Sequence, residues 1–554
     1  VALDIRCIEF INPENLMADD VSGLVKKVQN LAREGWHEDT LLVLSNLGPE
    51  TLYNHHALLS VYCNSLVKLG RWKEAGHAFE NLATLMHDHR AEFLAAATRF
   101  YLQAQANDDA ARIGPEALSL NPEDAALALA IGRTLIRRNE TGPLSDVIAH
   151  LQLSNAEQAH FKATCLRRLK RLDEAYDTLK AGWVLNPQDV ALSVELYSHS
   201  RARGDFPAMR QFETLMTEPL SPFNHSIFTN QFALDRLYWL DDEARQALPS
   251  RDQVLLKKKT AHAPQQRQRR SISSAEQRLK IGYLSDEFGN FIVMEVLEDV
   301  LIAHDREKFD IRLISYTEPR SVVQRAENWP QFMQREVMDV RTLSDAEAAR
   351  RISDEGIDIL VDLKGYTRGA GFDYQITDRI VTPDSSKDNY EEKLCRLPET
   401  QMPNRAIDAV VIDPTSRAAE GLPENCVLLG AFNAPRKLNP RSFELWMRIM
   451  RDAPETALWI NCNGVQARSA LIGEAARHGV NGSRIYFMEG NVPFSRYLGR
   501  LALADLALDV MPYNGHSTTA DILRAGVPVI TTRGASYHSR VSWSLLKTLG
   551  LEDL

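Results

Sequence analysis

The heptapeptide Leu69-Gly70-Arg71-Trp72-Lys73-Glu74-Ala75 returns 100 residues later as Leu169-Lys170-Arg171-Leu172-Asp173-Glu174-Ala175, and Asn121-Pro122-Glu123-Asp124 returns 65 residues later as Asn186-Pro187-Gln188-Asp189. These shifts are close to three and two periods of about 34 residues, the length of one helix-turn-helix unit. A unit of that size cannot bury its apolar face alone. Tyr62, Leu66, Ala75, Ala78 and Phe79 need neighbouring units on both sides, so the recurrence calls for a stacked, quasi-one-dimensional array. From Leu24 to Asp242 nearly every window carries apolar residues at helical spacing with few β-branched runs. The spacing is hardest to follow between Glu140 and Leu153.

Small Ala at close helix crossings, a turn between the paired helices and Pro just after the second helix resemble tetratricopeptide repeats. The array is assigned to residues 1–250. Such solenoids present a groove to extended peptides or proteins, which makes a protein bound along the repeats the expected partner; support or homodimerisation is the other use.

A chain of 554 residues should divide into two or three domains. Its net charge of −10 argues against wholesale nucleic-acid binding, which needs a cationic face. Cys7, Cys63, Cys165, Cys395, Cys426 and Cys462 form no CxxC pair and no tight framework, which suits reduced thiols and a cytoplasmic location. No apolar run is long enough to span a bilayer, no signal-peptide pattern follows Val1, and no membrane association is expected. Residues 251–278 turn polar, with Lys257-Lys258-Lys259 and Arg269-Arg270. Without interleaved aromatics that stretch reads as a solvated linker.

Beyond it the period changes. Strands are expected at Leu279–Ser285, Phe309–Tyr316, Ile357–Leu363 and Phe372–Ile376, and a second series at Cys426–Leu429, Ala457–Ile460, Arg484–Phe487, Leu506–Val510 and Val527–Thr531. Helical stretches lie between them, as in parallel sheets covered on both faces. Two Rossmann-like lobes, 279–412 and 413–554, would then place a ligand at the carboxyl ends of their strands.

The segment Leu506–Arg533 reads as strand, polar turn, helix and strand, with Asn514-Gly515-His516-Ser517-Thr518-Thr519 where the helix begins. A helix N-terminus offers unpaired N–H groups and about half a positive charge, so phosphate suits it. Ser517 or Thr518 is placed to cap that helix, and Asp521 to accept from sugar hydroxyls. There is no GxGxxG after a strand, no P-loop and no Asp-x-Asp pair. A nucleoside diphosphate would therefore be neutralised without metal, by Lys, His or a helix terminus; Lys437, after Phe432-Asn433-Ala434-Pro435-Arg436, is the candidate, with a solvated surface lysine as the bland alternative.

Several ordered motifs carry a closer resemblance: Phe432-Asn433-x-x-x-Lys437-Leu438-Asn439-Pro440, then Trp446, Ala453-Pro454 and Leu458-Trp459, then Ala504-Asp505-Leu506-x-Leu508-Asp509 and Asn514-Gly515-His516-Ser517-Thr518-x-x-Asp521. In the first lobe Ile281-Gly282-Tyr283-Leu284-Ser285 and Gly356-Ile357-Asp358-Ile359-Leu360-Val361-Asp362 continue it. The set resembles the protein O-GlcNAc transferase family, and plant SPINDLY-type protein O-fucosyltransferases share much of it. It covers most of residues 279–554, and a repeat array is that family's usual companion.

The resemblance implies a helical solenoid followed by a GT-B glycosyltransferase that moves a sugar, GlcNAc from UDP-GlcNAc, to Ser or Thr of a protein. It places Lys437 at the donor diphosphate, His516, Ser517 and Thr518 with Asn514 and Gly515 in the phosphate-binding turn, and Asp521 at the ribose. Asn433, Val492, Tyr497 and Arg500 fall around the uracil, with Tyr497 where the animal enzyme has a histidine. Tyr513 falls near the donor sugar. The family carries longer segments after Asn290, after Ala370 and around Thr400–Arg405, where this sequence runs on directly. No general base is assigned; Asp286 and Asp362 lie near suitable strand ends. A repeat-based adaptor with inactive lobes, and a bacterial flagellin or adhesin glycosyltransferase using another sugar, are the alternative expectations.

Overall fold

The computed structural model describes residues 18–217, 221–251, 253–254, 278–288, 291–316, 337–363, 372–404, 411–462, 464–490 and 492–552. Most of the expected linker, including Lys257-Lys258-Lys259 and Arg269-Arg270, lies outside them, as do Asn290 and the Ala370-Gly371 join. The chain forms two compact units, Val1–Leu192 and Ser193–Leu554.

The helices of the array are α1 (Ala18–Arg33), α2 (His37–Ser45), α3 (Pro49–Tyr53), α4 (His56–Lys68), α5 (Trp72–Leu85), α6 (Arg90–Gln103), α7 (Asn107–Leu120), α8 (Ala125–Arg137), α9 (Leu144–Ala149), α10 (Ala156–Arg168), α11 (Leu172–Leu185) and α12 (Val190–Arg203). The period is written into the backbone. The left-handed residues Gly35, Gly70, Gln105, Asn139, Lys170 and Gly204 each follow the first helix of a pair, at intervals of 35, 35, 34, 31 and 34 residues. Such a residue lets the chain reverse directly at the helix C-terminus. The short interval contains α9, of only 6 residues, which is why the spacing blurs between Glu140 and Leu153. The two Asn-Pro recurrences also have one structural meaning: Asn121 donates to the carbonyls of Ala91 and Ala117, and Asn186 to those of Leu153 and Gly182. Three residues on, Asp124 and Asp189 accept from the N–H groups of Leu127 and Leu192 and start the next helix.

The backbone pattern continues to Gly204, while the residues from Ser193 onward group with the second unit. There α13 (Phe206–Thr217), α14 (Pro222–Thr229), α15 (Ala233–Leu237) and α16 (Glu243–Gln246) precede the sheets.

The first sheet has the order β3-β2-β1-β4, from β1 (Leu279–Ser285), β2 (Phe309–Ser315), β3 (Val337–Asp339) and β4 (Ile359–Asp362). All its pairings are parallel, and β1 pairs with β2 residue for residue from Leu279↔Phe309 to Ser285↔Ser315. The strand expected at Phe372–Ile376 needs correction. β5 (Tyr374–Asp378) pairs with β6 (Lys393–Leu397) in a separate parallel ribbon, and the fourth member of the sheet is the three-residue β3, too short to show a period of its own. The second sheet runs β11-β10-β7-β8-β9, from β7 (Val427–Ala431), β8 (Thr456–Asn461), β9 (Ile485–Met488), β10 (Leu506–Leu508) and β11 (Val529–Ile530), again all parallel. Its core gathers Leu428, Phe432, Trp459, Leu498, Leu501, Ala507 and Ile522, contributed by strands and by the helices between them.

Candidate active site

In the second sheet the chain runs β7, β8, β9 in one direction and then returns to the other side of β7 for β10 and β11. The reversal leaves the loops after β7 and β10 diverging at their carboxyl ends, the place where open α/β sheets take ligands. Asn433 and Lys437 follow β7; Asp509 through Ser517 follow β10. Topology thus brings together two motifs about 80 residues apart.

Lys437 ends a short 3-10 turn, Pro435–Lys437. Its ammonium donates to the Asn514 carbonyl at 2.6 Å and stands 3.9 Å above the Tyr513 ring. Burial draws its pKa down to about 8; Asp509 opposes that fall and the charge of Arg436 adds to it. The amine is held against the Asn514 carbonyl and the Tyr513 ring, with Asp509 as its counter-charge, which is not the setting of a freely solvated surface lysine. His516 lies 5.0 Å from Tyr513, ring to ring. Burial, and then the charge of Lys437, hold its imidazole well below the ordinary range, so it is neutral at pH 7.

Asp509 organises the turn. Its Oδ1 accepts from Asn433 Nδ2 at 3.0 Å, Val510 N at 2.8 Å and Gly515 N at 2.7 Å, and its Oδ2 accepts from the Thr531 hydroxyl at 2.7 Å. Asn514 is fully buried, donates its side chain to the Val510 carbonyl and its N–H to that of His538, and leaves Oδ1 with no partner among the described residues. Asn433 Oδ1 is orphaned and buried in the same way. A Cβ on Gly515 would come within 2.2 Å of the Thr519 hydroxyl, so glycine is required for the close turn.

The helix Ser517–Arg524 corrects the capping expectation. His516, not Ser517 or Thr518, occupies the N-cap, and no side chain caps it. Ser517 and Thr518 are the first helical residues, partly exposed, which leaves the helix start open to an acceptor from outside. The hydroxyl that is taken up belongs to Thr519, which meets Ser542 at 2.8 Å, and Ser542 in turn donates to the Gly515 carbonyl.

The remaining expected residues are more dispersed. Asp521, one turn into the helix, lies 3.8 Å from Arg524 and raises the pKa of Tyr497, whose phenol is pushed up first by burial. Tyr497 stacks on Phe494 at 6.1 Å, and Val492 is exposed just before the helix Phe494–Leu501. Arg500 is buried against Glu420 at 2.8 Å and donates to the Glu489 carbonyl. That guanidinium is occupied within the fold.

Sequence reasoning gave no role to Asp509, although a carboxylate directly after a buried strand and before Asn-Gly is a signal for a turn anchor. Nor did it find Tyr238, stacked on Tyr513 at 5.5 Å, or His538, whose carbonyl accepts from Asn514 N and whose ring meets Tyr513 edge-on at 5.6 Å. Nothing in their local sequence points to these contacts.

Two parallel sheets, the second with Lys437 beside an open helix start at its switch point, define an α/β fold with a candidate anion site. The model of glycosyl transferase family 41 matches residues 232–372 and 403–554, and the chain belongs to that family. Among curated relatives, a probable UDP-N-acetylglucosamine–peptide N-acetylglucosaminyltransferase of Arabidopsis thaliana, SEC, is 32% identical over 308 residues, covering 50% of this chain and 31% of that protein. A probable enzyme of the same name from Solanum lycopersicum, SPINDLY, is 25% identical over 315 residues, covering 50% of this chain and 33% of its own length. The chain thus spans about a third of the length of these relatives. A solved structure of a Thermobaculum terrenum O-GlcNAc transferase mutant aligns over 90% of this chain and 86% of its own, at 21% identity and a TM-score of 0.48. No described helix is long and apolar enough to cross a membrane.

Proposed function

We propose that this protein transfers GlcNAc from UDP-GlcNAc to Ser or Thr hydroxyls of a protein held along the helical repeats in the cytoplasm. The observation that carries this reading is the meeting of Lys437 with the uncapped start of the helix Ser517–Arg524 at the β7/β10 switch point. Family membership and the activity for which the plant relatives are named support the sugar and the acceptor class.

In this mechanism the acceptor hydroxyl attacks the anomeric carbon, and negative charge grows on the departing diphosphate. Lys437 meets that charge with its ammonium, and the N–H groups of His516, Ser517 and Thr518 at the helix start face the phosphates, so departure proceeds without a metal. His516, neutral, is able to donate one hydrogen bond without adding charge. Asp521 holds the ribose; Asn433, Val492 and Tyr497 border the uracil, with Arg500 stiffening that wall from behind; Tyr513 floors the sugar subsite beside Asn514.

Lys437→Ala should lower turnover of UDP-GlcNAc at saturating acceptor by on the order of a hundredfold or more in a variant that still folds. Intact-mass measurement of the acceptor checks it. Near-parental transfer by that variant would remove Lys437 from the mechanism, and UDP binding without transfer by the parent would favour the adaptor reading.

A further inference from the structure

Arg201 on α12 lies well before residue 232, where the family match begins. It is only 2% exposed. Its Nε donates to the carbonyl of Arg436 at 3.0 Å, and its Nη2 faces that of Leu438 at 3.5 Å, the residues on either side of Lys437. The same Nη2 donates to the carbonyl of Tyr238 at 2.9 Å, and Nη1 donates to the Tyr197 hydroxyl at 2.9 Å and to Glu213 at 3.2 Å.

We propose that Arg201 is a positioning residue for Lys437: its guanidinium clamps the 3-10 turn Pro435–Lys437 by both flanking carbonyls and so aims the ammonium at the donor diphosphate. This rests on the reading of Lys437 as the residue that meets that diphosphate. The planar fork of Arg suits the task, because it reaches several acceptors in one fixed geometry, where the single ammonium of a lysine cannot. The clamp acts on both sides of the amine. Tyr238, held through its carbonyl by the same guanidinium, stacks on Tyr513, and Tyr513 is the ring beneath Lys437. Burying a guanidinium is costly unless it is paired and fully hydrogen-bonded; Glu213 supplies the counter-charge.

The test is titration calorimetry of the full chain with UDP as the probe, between pH 6 and pH 10, on the parent and on Arg201→Met, Arg201→Lys and Lys437→Ala, each with its melting temperature. The groups facing Lys437 are Asp509, Arg436, Tyr513, His516 and His538. In the parent, UDP affinity should decline at alkaline pH as the enclosed ammonium loses its proton. In Arg201→Met the loosened, better hydrated amine should bind UDP on the order of tenfold more weakly at pH 7, and the alkaline decline should move to higher pH. Arg201→Lys should fall between the two. A merely structural loss would lower the melting temperature without moving the inflection. Parental affinity and inflection in Arg201→Met overturn the proposal; if that variant does not fold, the same result in Arg201→Lys overturns it. Lys437→Ala should bind UDP weakly with no alkaline inflection, and parental binding there would defeat the reading of Lys437 independently of Arg201.

Discussion

Asp509 shows how one side chain converts a strand end into a binding turn. It draws Asn433, Val510 N, Gly515 N and Thr531 onto one carboxylate, and it is the anion that offsets Lys437. Asp509→Ala should cost about 1–3 kcal/mol in urea unfolding and weaken UDP binding measured by calorimetry, because buried donors lose their acceptor. The histidines set a pH limit. Burial holds His538 near 3 and His516 well below its ordinary value, so both are neutral in the folded protein. Once unfolded they take up protons below about 6.5, so the folded state binds fewer protons and stability falls as pH drops from there toward about 3. Within that window His538 should contribute up to about 1.4 kcal/mol per pH unit, and His516 acts in the same direction. Urea melts of the parent and of His538→Phe between pH 7 and pH 4 should show a shallower acid loss in the variant. At this scale the sequence named Lys437, His516 and Asn514 through their motif. It was silent on Arg201, because a guanidinium acting on a carbonyl 235 positions away leaves no local pattern.

At the scale of elements, the array was the most legible part of the chain, and for a physical reason. Its helix pairs repeat the same reversal, so the same residue types recur at the same turn, and Gly70 and Lys170 in the heptapeptide proved to be equivalent left-handed positions. Three of these positions are not glycine: Gln105, Asn139 and Lys170, with φ of 57, 57 and 60. A left-handed residue with a Cβ costs about 1 kcal/mol, so Gln105→Gly and Lys170→Gly should each raise stability by several tenths to about 1 kcal/mol despite their greater unfolded-state entropy. The converse holds at a crossing. A Cβ on Gly132 would lie 2.6 Å from the Phe161 ring, so Gly132→Ala should destabilise the array by about 1–3 kcal/mol through overpacking. Circular dichroism during denaturant unfolding measures both directions. The strands were legible from β-rich runs between helices, with ends off by one or two residues; β3 escaped because three residues cannot display a period. The capping expectation failed because side-chain chemistry alone did not place the N-cap: the chain enters the helix at His516, in a non-helical conformation with φ of −110 and ψ of −94.

For the whole molecule, the division at Leu192–Ser193 and the start of the family match at residue 232 are different boundaries, and the residues between them contain α13, α14 and most of α12. If Arg201 fixes the Lys437 turn, the donor site ends where that guanidinium is supplied and not where the family match begins. A chain shortened to 187–554 keeps Asp189, which caps α12 through Leu192 N, together with Arg201, Tyr238 and every side chain they hold. It should bind UDP with parental affinity. A chain shortened to 232–554 leaves the carbonyls of Arg436 and Leu438 without their donor, and its affinity for UDP should fall on the order of tenfold or more. The protein acceptor should divide the same two chains differently. If the repeats contribute to acceptor binding, 187–554 should show a raised KM for a protein acceptor with an unchanged Kd for UDP, because only the acceptor contacts have been removed. Calorimetry with UDP and steady-state transfer to a full-length protein acceptor measure the two quantities separately, and equal acceptor KM in the full and shortened chains would remove the repeats from acceptor recognition.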